Sequence, residues 1–373
     1  MDITCKDVMD VMEQWAPLKF AEDWDNPGFL VGDPRKEVKK VLVALDAIDP
    51  VIDEAIALGC DIIVTHHPIL FGAIKKVTTQ TPLGAKIYKM IQNNISHYAA
   101  HTNLDSAWGG TNDVLARLAG LEEIRVIDET NQEKLYKIVV YSPKSHEEAV
   151  RDALCTAGAG QIGENYSHCT FSSEGTGTFL PQPGAAPFIG AIGNLEKVQE
   201  IRLETIVPQD KIAKAVSSML KAHPYEEPAY DIYPVEQTGA SCGIGRIGKL
   251  KEETTFIEFA RMLKEKLGLA SMRIVGDPNK KVKVVGLGTG SAIEYMKKAK
   301  SMGADVYITG DLRYHESQKA IDAGVCLIDA THYASENIIV PVICDYLREQ
   351  GRKLGWEVEI MASQVNGQVF LDI

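Results

Sequence analysis

Val8, Val11, Met12 and Trp15 recur at i, i+3, i+4 and i+7, a spacing that predicts an apolar helical stripe near the start of the chain. Thr4 serves as its N-cap and Pro17 helps to end it. After a polar, turn-rich stretch over 21–28, a short apolar run at 41–45 reads as a strand. A helix near 52–58, a strand at 61–65, a helix over 83–92 and a strand ending at Ala100 follow. The last third repeats this grammar. Strands are predicted at 281–286, 305–309 and 325–328, with helices at 292–302 and 316–323 and a long one over 335–349. Two closing strands fall at 357–360 and 368–371. Strands alternating with helices predict a mainly parallel sheet covered on both faces.

The middle reads differently. A strand at 137–141, a helix at 145–157, two short strands flanking Gly175, a strand at 200–207, a helix at 210–222 and a strand at 229–235 make two β-α-β units. That is the ferredoxin-like pattern. Stretches rich in Gly and Pro lie at 181–193 and 239–248. The fold class expected is therefore α/β: a duplicated, open α/β domain formed by 1–129 and 241–373, with an α+β domain at 130–240 inserted into it.

Composition narrows the function classes. With 373 residues, 45% hydrophobic and 24% charged, the chain suits about two globular domains and excludes disorder. Its net charge of −12 argues against broad nucleic-acid binding, which needs a basic footprint. No run of 18 apolar residues suggests a membrane span, and the start, MDITCKDVMD, lacks the features of a secretory signal. The seven cysteines are scattered without a C-x-x-C, so neither a cysteine zinc site nor a disulfide framework is expected. A cytoplasmic location with reduced thiols follows as the default.

Candidate chemistry comes from a repeat. Asp61-Ile62-Ile63-Val64-Thr65-His66-His67 is followed by His101 and Asp105; Asp305-Val306-Tyr307-Ile308-Thr309-Gly310-Asp311 is followed by His332 and Glu336. Each half places a histidine four residues before a carboxylate, after strand, helix and strand. Functional groups of open α/β sheets gather beyond the carboxyl ends of the strands, so His66, His67, His101 and His332 can converge there. A His/Asp/Glu set without cysteine suits zinc, iron, manganese or nickel. Adjacent histidines at a strand end do not easily chelate one ion but can each serve one of a pair, which points to two divalent ions per chain. His97, His146 and His168 fit no such constellation and read as structural.

At these residues the chain resembles the NGG-interacting-factor-like dinuclear metal family, whose bacterial members are often labelled GTP cyclohydrolase I type 2 homologues. The resemblance rests on Trp24-Asp25-Asn26-Pro27-Gly28, Val64-Thr65-His66-His67-Pro68, His101-Thr102-Asn103-Leu104-Asp105, Gly310-Asp311-Leu312-Arg313-Tyr314-His315 and His332-Tyr333-Ala334-Ser335-Glu336. A commoner pattern has another residue in place of Pro27, which leaves the metal residues untouched. The resemblance implies His66, His67, Asp105, His332 and Glu336 as ligands, with the glutamate bridging. His101 is then a sixth ligand or a group behind the ligands. A toroidal homohexamer is implied as well. The middle segment resembles the PII/CutA-like domains of longer family members through His223-Pro224-Tyr225-Glu226-Glu227-Pro228, and is expected to be an oligomerisation module.

The chemistry expected is hydrolysis by a metal-activated water, on a small, electron-rich substrate that is phosphorylated or a nucleotide. The family label specifies opening of the GTP imidazole ring with loss of formate. Two alternatives stand beside it: hydrolysis of a phosphoester or amide at the same centre, and a metal-binding regulatory scaffold without catalysis. His315, close after the strand at 305–309, and His101 are the candidate catalytic residues, His315 as a general acid or base or a hydrogen-bond support. Gly286 to Ser291 reads as a plain strand-to-helix turn, since it lacks both the third glycine of a dinucleotide fingerprint and a P-loop lysine.

Overall fold

A computed structural model describes residues 2–163 and 165–371. The chain is mixed α/β, with two sheets. It divides into two compact units: one runs up to Asn131 and resumes at Cys242, and the other is Gln132–Ser241.

The first unit opens with α1 (Cys5–Trp15), β1 (Gly28–Val31), β2 (Lys40–Ala44), α2 (Asp49–Leu58), β3 (Ile62–Thr65), α3 (Pro82–Gln92), β4 (Ser96–Ala99), α4 (Thr102–Ser106) and α5 (Thr111–Leu118). The long strand β5 (Leu121–Pro143) leads into the second unit, which holds α6 (Glu147–Thr156), β6 (Thr170–Phe179), β7 (Glu196–Pro208) and α7 (Ile212–Ala222). A second long strand, β8 (Tyr230–Thr255), leads back. The first unit then continues with α8 (Phe256–Lys266), β9 (Arg273–Val275), β10 (Lys281–Leu287), α9 (Met296–Ser301), β11 (Val306–Thr309) and α10 (Tyr314–Asp322). It closes with β12 (Cys326–Asp329), α11 (His332–Asn337), α12 (Ile339–Leu354) and β13 (Glu359–Ala362).

Within the first unit one sheet runs β1-β4-β3-β2-β13, parallel except for β1. The other runs β8-β10-β11-β12-β9, with three parallel strands between antiparallel ones. The same side-chain devices start both sheets. Asp61 accepts the backbone N–H groups of Lys39 and Lys40, and Asp305 accepts those of Lys283 and Val284. The Lys36 ammonium donates to the carbonyls of Asp61 and Asn94; that of Lys280 donates to those of Asp305 and Gly324. Even the helix starts match: Asp7 accepts the Thr4 N–H and hydroxyl, and Glu258 those of Thr255.

The halves also exchange parts. From α12, Ile339, Ile343 and Leu347 join Val8, Val11 and Met12 of α1 in the core over β2 and β3. Conversely, Leu115, Ala116 and Ala119, in and just after α5, pack with α8 over β10 and β11. Each fully buried Ile or Leu in these clusters contributes about 1.5–3 kcal/mol. With α4 and α11 directly preceding the exchanged helices, the carboxyl ends of the two sheets are drawn to one place.

Some expectations change. The glycine-rich stretch over 239–248, beyond the strand expected at 229–235, lies inside β8. Those glycines permit close approach rather than a break: a Cβ at Gly243 would lie 1.9 Å from the Asp128 carbonyl oxygen. The single helix expected over 335–349 is two, because Pro341 has no N–H to donate to the Asn337 carbonyl. The strands expected on either side of Gly175 are one, β6. Residues 368–371 join no sheet.

In the second unit the strand order is β6-β7-β5-β8, with β7 antiparallel to both β5 and β6. Its core gathers Ile138 and Val140 of β5, Leu154 of α6, Leu203 of β7 and Met219 of α7. Among the described residues no helix is long and apolar enough to cross a membrane. All seven cysteines are free thiols.

Candidate metal centre

β3 ends at Thr65, and the next two residues are His66 and His67, whose rings stand 5.1 Å apart. His101 precedes α4, with Asp105 one turn further on; His332 opens α11, with Glu336 one turn further on. In both short helices the i, i+4 spacing sets the imidazole and the carboxylate on one face. The two pairs come from opposite halves and meet. Nε2 of His67 stands 2.9 Å and Nε2 of His332 3.0 Å from Oε2 of Glu336, while Oε1 lies 3.9 Å from Nε2 of His66. Asp105 Oδ1 is 3.6 Å from the same His66 nitrogen.

The outer edges of these rings are held. Nδ1 of His66 donates to the Ala100 carbonyl at 2.8 Å. The Nδ1 atoms of His67, His101 and His332 face Asp46 at 2.7 Å, Asp25 at 2.8 Å and Asp311 at 2.8 Å. All four tautomers and ring planes are thereby fixed, with Nε2 left for the interior, as in metal-ligating histidines generally. Asp25 is held in turn by the Thr102 N–H and hydroxyl.

Electrostatics follow from this packing. Burial makes His66 the harder to protonate and raises the pKa of Asp105. Burial also opposes charge on His67, but hydrogen bonds to Asp46 and Glu336 outweigh it and lift its pKa to about 10. His332 is lifted to about 9, chiefly by Glu336 and then by Asp311, against the effect of burial. Glu336 is buried, which favours its neutral form, yet the His332 and His67 hydrogen bonds hold it below the usual carboxylate range. Burial likewise opposes ionisation of Asp25, and the His101 and Thr102 contacts overcome it, bringing its pKa to about 2.

These residues fit a divalent cation. His66 Nε2 is buried and has no hydrogen-bond partner, an orphaned lone pair facing two carboxylates. Ligand atoms of His66, His67 and His101 lie within 4.8 Å of one another, as do those of His67, His332 and Glu336. Imidazole and carboxylate donors without thiolate suit zinc and the first-row divalent ions. The backbone is strained beside them: Asp311 and Thr331, both non-glycine, have φ of +55° and +59°. At Gly290, with φ +62°, a Cβ would stand 2.1 Å from Glu336 Oε1, so only glycine lets this loop close over the carboxylate.

The centre opens into a cavity of about 740 Å³ lined by residues that include Trp24, Phe71, Lys86, His101 and Tyr295. His315 does not join it. Its side chain is exposed on α10 and its Nδ1 pairs with Gln318 at 3.0 Å, so this chain does not bring it to the histidine cluster as an acid or base. The Gly288–Gly290 turn has no amides to spare for a phosphate: those of Gly288, Thr289 and Gly290 donate to Ile308, Asn112 and Ser335. His97 is a core residue, its Nε2 on Thr65 and its pKa pushed down to about 3 by burial. In the second unit, His223 uses both nitrogens locally, accepting from the Tyr225 N–H and donating to the Tyr141 carbonyl.

Sequence reasoning passed over Asp25, Asp46 and Asp311 as supports of the histidines. Asp46 had a usable signal, standing just after β2 at the same sheet edge as His66. Arg246 was also missed. It is fully buried, 2.8 Å from Asp113, and donates to the carbonyls of Gly243, Gly245, Ser106 and Ala107.

The family model of Duf34/NIF3 (NGG1p interacting factor 3) matches residues 3–368, and the chain belongs to that family. A Bacillus subtilis protein named GTP cyclohydrolase 1 type 2 homolog is 45% identical over 366 residues, covering 98% of each chain. Among solved structures, a Bacillus cereus protein related to NIF3 superposes with a TM-score of 0.94 at 41% identity, over the whole of both chains. A Staphylococcus aureus protein gives a TM-score of 0.80 at 32% identity, over 100% of this chain and 99% of that one.

Proposed function

We propose that the chain is a metal-dependent hydrolase that holds two divalent ions, zinc first among the candidates, and acts on a nucleotide as its relatives' names suggest. The observation that carries this reading is the set of four histidines, each held at Nδ1, around two buried carboxylates. His66, His101 and Asp105 are assigned to one ion, and His67 and His332 to the other. Glu336 would serve both, since Oε1 faces His66 and Oε2 faces His67 and His332. Divalent ions held there would supply Lewis acidity to activate a water near neutral pH.

The protein's own contribution is positional. Asp46 and Asp311 keep the His67 and His332 rings aimed inward, and Asp25 does so for His101. Asp105 and Glu336 bring two negative charges, which leave two divalent ions with a net positive field for an electron-rich substrate. The cavity of about 740 Å³ gives a substrate room beside the centre. Residues 130–240 are assigned to a ferredoxin-like, PII/CutA-like inserted domain, a reading supported by the order β6-β7-β5-β8 with helices α6 and α7. A ring-shaped homohexamer and a cytoplasmic location complete the proposal.

Purified protein loaded with zinc, iron or manganese is to be assayed for formate release from GTP, with elemental analysis alongside. Two ions per chain and formate release are expected. Turnover of phosphoesters or amides without formate would move the substrate but keep the centre. Metal retained with no turnover on any of these would overturn hydrolysis in favour of a scaffold.

A further inference from the structure

The cavity over the metal centre has one feature that the histidines and their carboxylates do not use. Lys86 is the only lysine or arginine among the described residues that line it. It projects from the first turns of α3, on the same wall as Pro82 and Leu83. Lys89, one turn further on, is neutralised by Asp53, but Lys86 makes no ion pair among the described residues. A half-buried lysine without a carboxylate partner, lining a cavity beside the proposed metal centre, is a recognition group for an anion.

The second part lies at the mouth. Trp24 is 63% exposed and Phe71 55%, so both rings are open to a ligand. Both rings stand edge-on to His101, with centroids at 5.9 Å and 5.6 Å. They reach it from different segments, Trp24 from the loop before β1 and Phe71 from the loop after β3. Two aromatic surfaces beside one proposed ligand form a platform for a flat ring, and base–aromatic stacking tolerates any heterocycle. A cavity of about 740 Å³ has room for a ring and its substituents.

We infer that Lys86 and the Trp24–Phe71 pair select the substrate: the aromatic pair seats a planar heterocycle beside His101, and Lys86 binds a phosphate attached to it. This rests on the nucleotide-hydrolase reading and names the residues that would recognise such a molecule. Lys86 and Trp24 would contact the substrate and not the metal ions. Neither bonds to a proposed metal ligand through a polar atom, so metal content is expected to survive their substitution.

The test is equilibrium binding by calorimetry to the metal-loaded, full-length protein, with guanosine monophosphate, guanosine and inorganic phosphate as probes. Wild type is expected to bind the monophosphate about tenfold or more tighter than guanosine, the worth of a charged hydrogen bond. Lys86→Met should erase that preference without changing guanosine affinity, and Lys86→Arg should restore most of it. Trp24→Ala and Phe71→Ala should weaken guanosine and its monophosphate alike, about tenfold each. Circular dichroism and metal content, unchanged in each variant, exclude misfolding as the cause. The inference is overturned if Lys86→Met still prefers the monophosphate, or if both aromatic variants bind guanosine as wild type does. Lys86-dependent binding with no turnover would sink the hydrolase reading alone. Formate release with a KM untouched by Lys86→Met would sink this inference alone.

Discussion

The two halves of the larger unit share a frame and differ at their tips. Asp61 and Asp305, Lys36 and Lys280, Thr4 and Thr255 make the same backbone contacts at the same places. At the carboxyl ends of β3 and β11 the correspondence holds in position and fails in chemistry. His66 and His67 in one half stand where Gly310 and Asp311 stand in the other. Gly310 cannot be a histidine here, because a Cβ would lie 2.6 Å from the His332 backbone nitrogen. Asp311 instead turns outward to hold His332 by Nδ1. The lesson is that one scaffold separates its two tasks: residues that start the strands preserve the frame, while those that end them are free to diverge.

The first way to break the comparison is to cut the tie between halves. Arg246 lies on β8, and its partners Ser106, Ala107 and Asp113 lie in and around α4 and α5. Arg246→Met leaves a buried carboxylate without its cation and is expected to cost about 3–5 kcal/mol in chemical denaturation. A loss below about 1 kcal/mol would mean that the halves hold together without it.

Next comes the split between ligation and orientation. His67→Ala should remove at least one of two ions by elemental analysis. Asp311→Ala, its positional counterpart, should keep both at saturation while weakening affinity about 10–100-fold. Equal metal loss in the two variants would erase the proposed difference between the tips.

The smallest effect tests the shared frame. Asp61→Asn and Asp305→Asn should each cost about 1–2 kcal/mol, since each leaves backbone donors poorly matched. Burial acts to raise the Asp61 pKa, but the Lys39 and Lys40 amides and Lys36 bring it below its ordinary value. Its stabilisation is therefore fully present above the unfolded value, near pH 4, and is lost as pH falls through the lower folded value. Stability curves for wild type and Asp61→Asn should converge below that point; curves that stay parallel would contradict the assignment.

Much of this was legible in the sequence where local pattern and burial agree. The run Ile62 to Thr65 ends in two histidines, and any strand placed there puts them at a sheet edge. The i, i+4 pairs His101/Asp105 and His332/Glu336 needed only a helix start. What stayed hidden depends on long-range approach. Nothing near Gly243 announces that its missing side chain admits the Asp128 carbonyl, or that Arg246 three residues on is buried. Asp25 and Asp46 look like ordinary loop acids until the folded chain sets them behind His101 and His67. His315 misled for the opposite reason: nearness to a strand end in sequence did not decide which way a helix would face it.

The swapped helices impose an order on synthesis. When residue 119 has been made, β2 is an unpaired edge and the α1 face of the first sheet lacks its cover, because α12 and β13 belong to residues 339–362. At roughly 5–20 residues per second, that surface waits tens of seconds for its partner. A ribosome-bound chain stalled before residue 339 should therefore be cut readily by protease in its first hundred residues, and one stalled well beyond 362 should resist. Until the last strand arrives, the newborn chain is a client for any factor that binds open sheet edges.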